Sequence, residues 1–425
     1  MIFEKIRQIW QIKDLRNNLI FVIAMLVIFR IASHIPLPGI NLANLKDLFS
    51  RNEMLGMLNI LSGGAMANFS IVAMGVAPYI TASIIMQLLT MIFPKLEELS
   101  KEGSSGYQKI NQYSRLLTVP LALLQSYGMI MIFRQSSQSI VSFSSKFDLI
   151  RMLVVMSAGT MFLMWLGELI TEKKIGNGIS LIIFAGIVER LPVSLQQVIA
   201  TFSKEQLINM AVLLFLALIT VAGVVIITEA QRNIPVTYAR RIRGNRMYGG
   251  MDTYLPLRVN QAGMIPIIFA ISIVLFPGLI GQLMTRSGSG LVAGIGRILA
   301  NFTQNQLIYG ITYFILVVAF TYFYTSIIFH PIQIADNLQK QGGFVPGLRP
   351  GQPTAKYLSN VSNRIMLAGA LSLGLIAVLP IITQNLFKMS AFVVGGAAIL
   401  IVVSVVLETV KQIQAQISMH EYEGL

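Results

Sequence analysis

Apolar residues gather along the chain in long unbroken runs and do not alternate with polar ones. Runs centred on residues 19–37, 70–93, 116–133, 149–170, 178–199, 207–228, 262–284, 306–329, 365–384 and 390–410 compare with the roughly 20 residues a helix needs to cross a bilayer. Hydrocarbon offers backbone N–H and C=O groups no partner, so a spanning segment is a helix or part of a closed barrel, and barrel strands would alternate. The pattern predicts an all-α polytopic membrane protein of about ten transmembrane helices. An even number puts both termini on one side. The fifth run is the weakest, because Glu189 and Arg190 cut its apolar core short.

The second run carries an interruption. In LNILSGGAMANFSIVAMGVAPYITASIIMQLL, residues 58–89, a turn of apolar helix stops at Gly63 and Gly64 and then restarts. Each glycine inside a helix is about 1 kcal/mol worse than alanine, so the break calls for a compensating role. Ahead of the first run, Ile2, Ile6, Ile9 and Trp10 fall at helical spacing among Lys5, Lys13 and Arg16, as in a helix lying in the membrane interface. The first run exceeds the roughly 7 to 15 residues of a signal-peptide core, which predicts a retained span.

Two connections, residues 229–260 and 330–363, are too long for simple turns, and loops beyond about 12 to 15 residues are usually functional or disordered. Five runs precede residue 200 and five follow it. This count permits two inverted, pseudo-symmetric halves, 1–200 and 201–425.

Composition agrees with the pattern: 55% of the 425 residues are hydrophobic and 12% charged, about half the charge of an ordinary soluble domain, with a mean hydropathy of +0.70. With the N-terminus taken as cytoplasmic, about 21 of the 32 basic residues fall on that side and about ten on the other. Such an excess in short loops is the positive-inside signature, which predicts cytoplasmic termini.

Candidate chemistry is sparse. Without cysteine there is no disulfide and no thiolate site. His34, His330 and His420 are scattered, which argues against a metal or histidine-based catalytic site, and GNGIS at residues 176–180 lacks the lysine of a nucleotide cradle and reads as a helix start. Glu168, Glu229 and Glu408 sit near span ends, the expected place for solvated carboxylates; Arg30 lies inside the first span, where snorkelling to the headgroups is the simple reading. With no ionisable relay at mid-membrane, an ion-driven solute transporter fits poorly. An intramembrane hydrolase fits no better, for want of a serine–histidine or paired-aspartate site. Gln87 and Gln125 suit helix packing or helix parting equally. Arg240, Arg241, Arg243 and Arg246, interleaved with Tyr238 and Tyr248, leave three readings open: orientation signal, headgroup contact, or docking surface for RNA phosphates or an acidic protein.

Several stretches together resemble the SecY family, the central subunits of bacterial protein-conducting channels. They are FRIASHIPLPGI, LSGGAMANFSIVAMGVAPYITASIIMQLL, GTMFLMWLGELITEKKIGNGISLIIFAGIVERLP, QRNIPVTYARR, VNQAGMIPIIFA, FTYFYTSIIFHPIQIADNLQKQGGFVPGLRPGQPTAKYL and GGAAILIVV, in family order from near residue 20 to near 410. The resemblance implies two halves around an hourglass pore in the bacterial cytoplasmic (inner) membrane, clasped by SecE and accompanied by SecG. It also implies passage of nascent polypeptides and signal sequences, driven by the SecA ATPase or the ribosome, with no cofactor and no catalytic residue in the channel itself.

Carried over residue by residue, the resemblance makes residues 58–68 a plug helix, including Leu58, Leu61, Ser62, Gly63 and Gly64. It assigns a pore ring to Val76, Ile80, Ile183, Ile268 and Ile401, although the family often has isoleucine where Val76 stands. Gln87, Gln125 and Asn260 become candidates for polar contacts at a lateral gate opening toward membrane lipids. Arg240, Arg241, Arg243, Arg246 and Arg349 become candidates for partner docking.

Overall fold

The computed structural model describes residues 9–41, 44, 45, 59, 62–134, 141, 145–200, 207–238, 241–243, 246–248, 252–285, 290–387 and 395–423. Leu58, Leu61 and Arg240 lie outside them, as does most of the N-terminal interfacial helix. Among the described residues, each apolar run overlaps a helix. The long elements are α1 (Lys13–Ser33), α2 (Ala77–Ile92), α4 (Ser104–Arg134), α5 (Lys146–Glu172), α6 (Gly178–Ala200), α7 (Leu207–Glu229), α8 (Ile265–Met284), α10 (Gln306–Ile328), α12 (Gln352–Phe387) and α13 (Gly395–Glu423), with shorter α3 (Pro94–Lys101), α9 (Gly290–Gln304) and α11 (Pro331–Lys340). Among the described residues, six helices are long and apolar enough to cross a membrane, or seven if the bent pair α2–α3 counts as one span.

Local chemistry fixes several helix boundaries. The side chains of Ser145 and Asn305 accept from backbone N–H groups in the first turns of α5 and α10, satisfying donors that have no helical partner. Asn177 Oδ1 accepts from Ser180 N at 3.2 Å, so GNGIS is a helix start. Between α2 and α3 the chain bends by 103° at Pro94, whose ring and missing N–H prevent a continuous helix. Inside the spans, hydroxyls fold back on their own helices, as Thr321 Oγ1 does on Val317 O at 2.7 Å. Their donors are thereby satisfied in an apolar setting.

The second run departs from its expected form. The helix begins only at Ala77, with Pro78 in its first turn, while residues 62–69 and 71–76 form successive turns. The described part of the expected plug helix is thus mostly turns. Gly63, Gly64 and Gly75 have φ of 64°, 86° and 57°, values that disfavour a side chain. A Cβ on Gly75 would come within 2.5 Å of Ser62 Cα, so the folded-back chain requires glycine there.

The long connections are also structured, in strands that apolar periodicity did not predict. β1 (Gln231–Tyr238) pairs antiparallel with β4 (Asp252–Arg258), Gln231 opposite Arg258. Between them β2 (Arg241–Arg243) pairs with β3 (Arg246–Tyr248). From the other connection, β5 (Gly343–Phe344) joins the free edge of β1, giving the order β4-β1-β5. Ile234, Leu257, Val345 and Leu358 form a small separate core beneath this sheet.

Helices α1, α2, α4, α5 and α6 pack among themselves, as do α7, α8, α10, α12 and α13. The two sets meet where α6 packs on α13 and where α2 and α4 pack on α8. One continuous apolar core runs through both.

Candidate functional site

The five residues of the expected ring come from four helices and the turn before α2, and all are buried: Ile183 and Ile401 are 0% exposed, Val76 1%, Ile80 and Ile268 5%. They belong to the same contiguous core as Ala65, Met66 and Phe69 of the turn segment. A cavity of about 460 Å³ is lined by Ile80 and Ile268 together with other residues including Ser83, Gln87, Asn111 and Thr171. Val76, Ile183 and Ile401 do not line it. Two of the five expected ring residues thus touch the cavity, and the other three lie in the packed core.

The turn segment packs into the same apolar core as these five residues. Ser62, Gly63, Gly64, Ala65 and Met66 are all buried. Part of its backbone is held by bonds within the segment: Gly64 N donates to Asn59 O at 2.8 Å, Met66 N to Ser62 Oγ at 3.1 Å, and Ala67 N to Asn59 Oδ1 at 2.9 Å. At its far end the segment joins the chain after α1, where Leu37 N donates to Phe69 O at 3.0 Å and Ile71 N to Ile35 O at 3.0 Å.

Arg30 does not snorkel. Its guanidinium donates to Gly63 O at 3.1 Å and pairs with Glu189 of α6, a partner that costs far less than dragging an isolated charge through hydrocarbon. Glu189, which appeared to weaken the fifth span, is the other half of this pair. Glu168 is likewise no free end residue: Arg115 Nε donates to its Oε1 at 2.6 Å, joining α4 to α5, and both line the cavity. Glu229 pairs with Lys411 at 2.8 Å, joining α7 to α13. Pairing across helices was invisible because the partners are far apart in sequence.

The expected gate residues are not drawn together by hydrogen bonds among the described residues. Gln125 Nε2 donates to Thr81 Oγ1 at 3.5 Å, linking α4 to α2, and Asn260 Nδ2 caps its own turn at Gly263 O, 3.1 Å away. Gln87 faces the cavity. Arg349 is exposed on a turn whose backbone is held by Thr354 Oγ1, donating to Arg349 O at 2.8 Å. Arg241 and Arg243 stand opposite Tyr248 and Arg246 in the β2–β3 hairpin.

A protein-family model described as SecY matches residues 70–410. The chain belongs to the SecY family. Over 97% of both chains it is 46% identical to the protein translocase subunit SecY of Corynebacterium glutamicum. In fold it resembles two more distant SecY-type channels, each covering 93% of this chain and 91% of the other at 16% identity. One is from work on the plug domain of SecY, which is described as stabilising the closed state of the translocation channel (TM-score 0.62). The second is Sec61 in the canine ribosome–channel complex of the endoplasmic reticulum (TM-score 0.61).

Proposed function

We propose that the chain is the channel-forming subunit of a bacterial protein translocase. It passes unfolded polypeptide across the cytoplasmic membrane and releases hydrophobic signal or transmembrane segments sideways into the lipid. The observation that supports this reading is the arrangement of the interior: a cavity whose mixed polar and apolar wall includes Ile80 and Ile268, and a buried turn segment whose Ala65 and Met66 share one apolar core with all five ring candidates. A conduit for a small solute would need fixed ligands at mid-depth. A barrier of aliphatic side chains and a displaceable segment suits a cargo of varied sequence and large cross-section.

In this reading residues 58–68 are the plug, and Val76, Ile80, Ile183, Ile268 and Ile401 are the ring. The side exit opens where α2 and α4 meet α8, beside Gln87, Gln125 and Asn260. Both termini and the five-stranded extramembrane region are cytoplasmic, as the basic-residue bias favours. Arg240, Arg241, Arg243, Arg246 and Arg349 belong to the docking surface for the partner that drives transport, the SecA ATPase or the ribosome. SecE clasps the bundle and SecG accompanies it. The channel is not an enzyme, needs no cofactor, and takes its driving force from these partners.

The test is reconstitution. Vesicles containing this chain with SecE and SecG, supplied with SecA and ATP, are expected to protect a secretory precursor from external protease. ATP hydrolysis by the bound motor without protection of the precursor would contradict the reading.

A further inference from the structure

Three contacts converge on Gly63. Arg30 of α1 donates to its carbonyl at 3.1 Å and pairs with Glu189 of α6, while His34 Nε2 lies 3.3 Å from Glu189 Oε1. Gly186 of the same helix lies against the Gly63 backbone so closely that a Cβ there would overlap it, and a Cβ on Gly63 would meet Phe29 Cζ at 2.8 Å. Gly186 and Glu189 are three residues apart and share a helix face. One face of α6 thus offers a groove that admits the turn backbone and a carboxylate that anchors the arginine gripping it. Arg30 itself is braced from behind, its carbonyl accepting from Ser33 Oγ at 2.8 Å.

We propose that Arg30 and Glu189 form a latch that holds the plug shut. This rests on reading the turn segment as the plug. Arg30 is a positioning residue: it touches neither cargo nor ring, but fixes the one carbonyl at the glycine break. The β-bridge between Pro36 and Ser70 lies outside the latch and serves as the hinge. Releasing Arg30 from Gly63 frees the segment ahead of that bridge while its far end stays tied to the chain after α1. A charged donor suits this task, because a charge-assisted hydrogen bond is roughly twice as strong as a neutral one. It also remains a single contact that one conformational change can break. Parting of α1 from α6 separates Arg30 from Glu189 and weakens the grip in the same motion.

The chain has no cysteine, so Ala65→Cys introduces a single thiol at a position 0% exposed. In the complex with SecE, labelling of this thiol by a small maleimide is expected to be slow at rest and faster with a saturating signal peptide. Adding Arg30→Gln or Glu189→Gln is expected to raise the resting rate at least tenfold. Arg30→Lys, which keeps both charge and donor, is expected to stay within about threefold of the parent. The exchanged pair Arg30→Glu with Glu189→Arg restores an ion pair but turns a carboxylate toward the Gly63 carbonyl, so its resting rate is expected to remain high. A low rate in the exchanged pair would reduce Arg30 and Glu189 to a structural bridge and overturn the latch. Resting rates within twofold of the parent in both glutamine variants, with acceleration by signal peptide intact, would overturn the latch and leave the plug standing. A thiol that never responds to signal peptide would overturn both.

Discussion

Gly186 of α6 supports the backbone of Gly63 with no room for a side chain between them. Gly186→Ala is therefore expected to push the turn segment off its seat. Forcing a methyl into a packed core typically costs about 1–3 kcal/mol, and here the turn segment should yield before the helix does. The expected outcome is a modest loss of thermal stability, read by tryptophan fluorescence of the purified complex, together with a raised resting ion leak. Unchanged stability and unchanged leak would show that the two backbones do not meet.

Thr237 stands opposite Phe344 across the β1–β5 edge, so the two long connections share one fold. Leu358, fully buried in the small core beneath the sheet, is its keystone from α12. Leu358→Ala is expected to cost about 2–5 kcal/mol locally and to expose both connections to protease together. Cleavage confined to one of them, measured by limited proteolysis and mass spectrometry, would mean they are independent units.

Arg349 stands exposed between Pro346 and Pro350 on a turn pinned by Thr354. Its backbone is held in place, as the proposed docking contact requires. Arg349→Glu is expected to leave membrane insertion and SecE association intact while reducing motor-dependent export at least tenfold. Normal export from a normally accumulating variant would remove Arg349 from the docking surface.

Arg115 and Glu168 bridge α4 and α5 at the cavity wall, and both remain partly exposed. Such a pair is worth about 1 kcal/mol or less, so Glu168→Gln should shift the melting temperature only slightly. Arg115→Glu sets two carboxylates against each other and is expected to destabilise more. Adding Glu168→Arg should recover most of that loss, and failure to recover it would show that the pair contributes nothing specific.

The spans were legible because long apolar runs leave a chain in lipid few options other than helix. The ring role proposed for Ile183, Ile268 and Ile401 has no signature in their own chemistry. They resemble every other aliphatic in the spans, and only the family resemblance singled them out. The late start of α2 was hidden because the turns at residues 62–76 are held by remote partners, namely residues 35 and 37 after α1 and Gly186 of α6. Arg30 and Glu189 were each visible as charges in apolar runs, but read singly they suggested snorkelling and a weak span. Strand β1 was missed because QRNIPVTY carries a proline and no clean alternation, and its stability comes from partners in β4 and in a connection about a hundred residues away.

The central claim is that an apolar ring backed by a buried segment seals this chain's interior against ions. It is tested most directly by single-channel conductance of the resting complex in a planar bilayer. Ile80→Asn combined with Ile401→Asn places two amides among buried aliphatics and is expected to hydrate the constriction, giving frequent openings where the parent is silent. Leu218→Asn combined with Ile311→Asn, at aliphatics exposed on α7 and α10, is expected to leave the channel silent. Equal, unchanged resting conductance in both pairs would contradict the account, because Ile80 and Ile401 would then not line the path that ions must take.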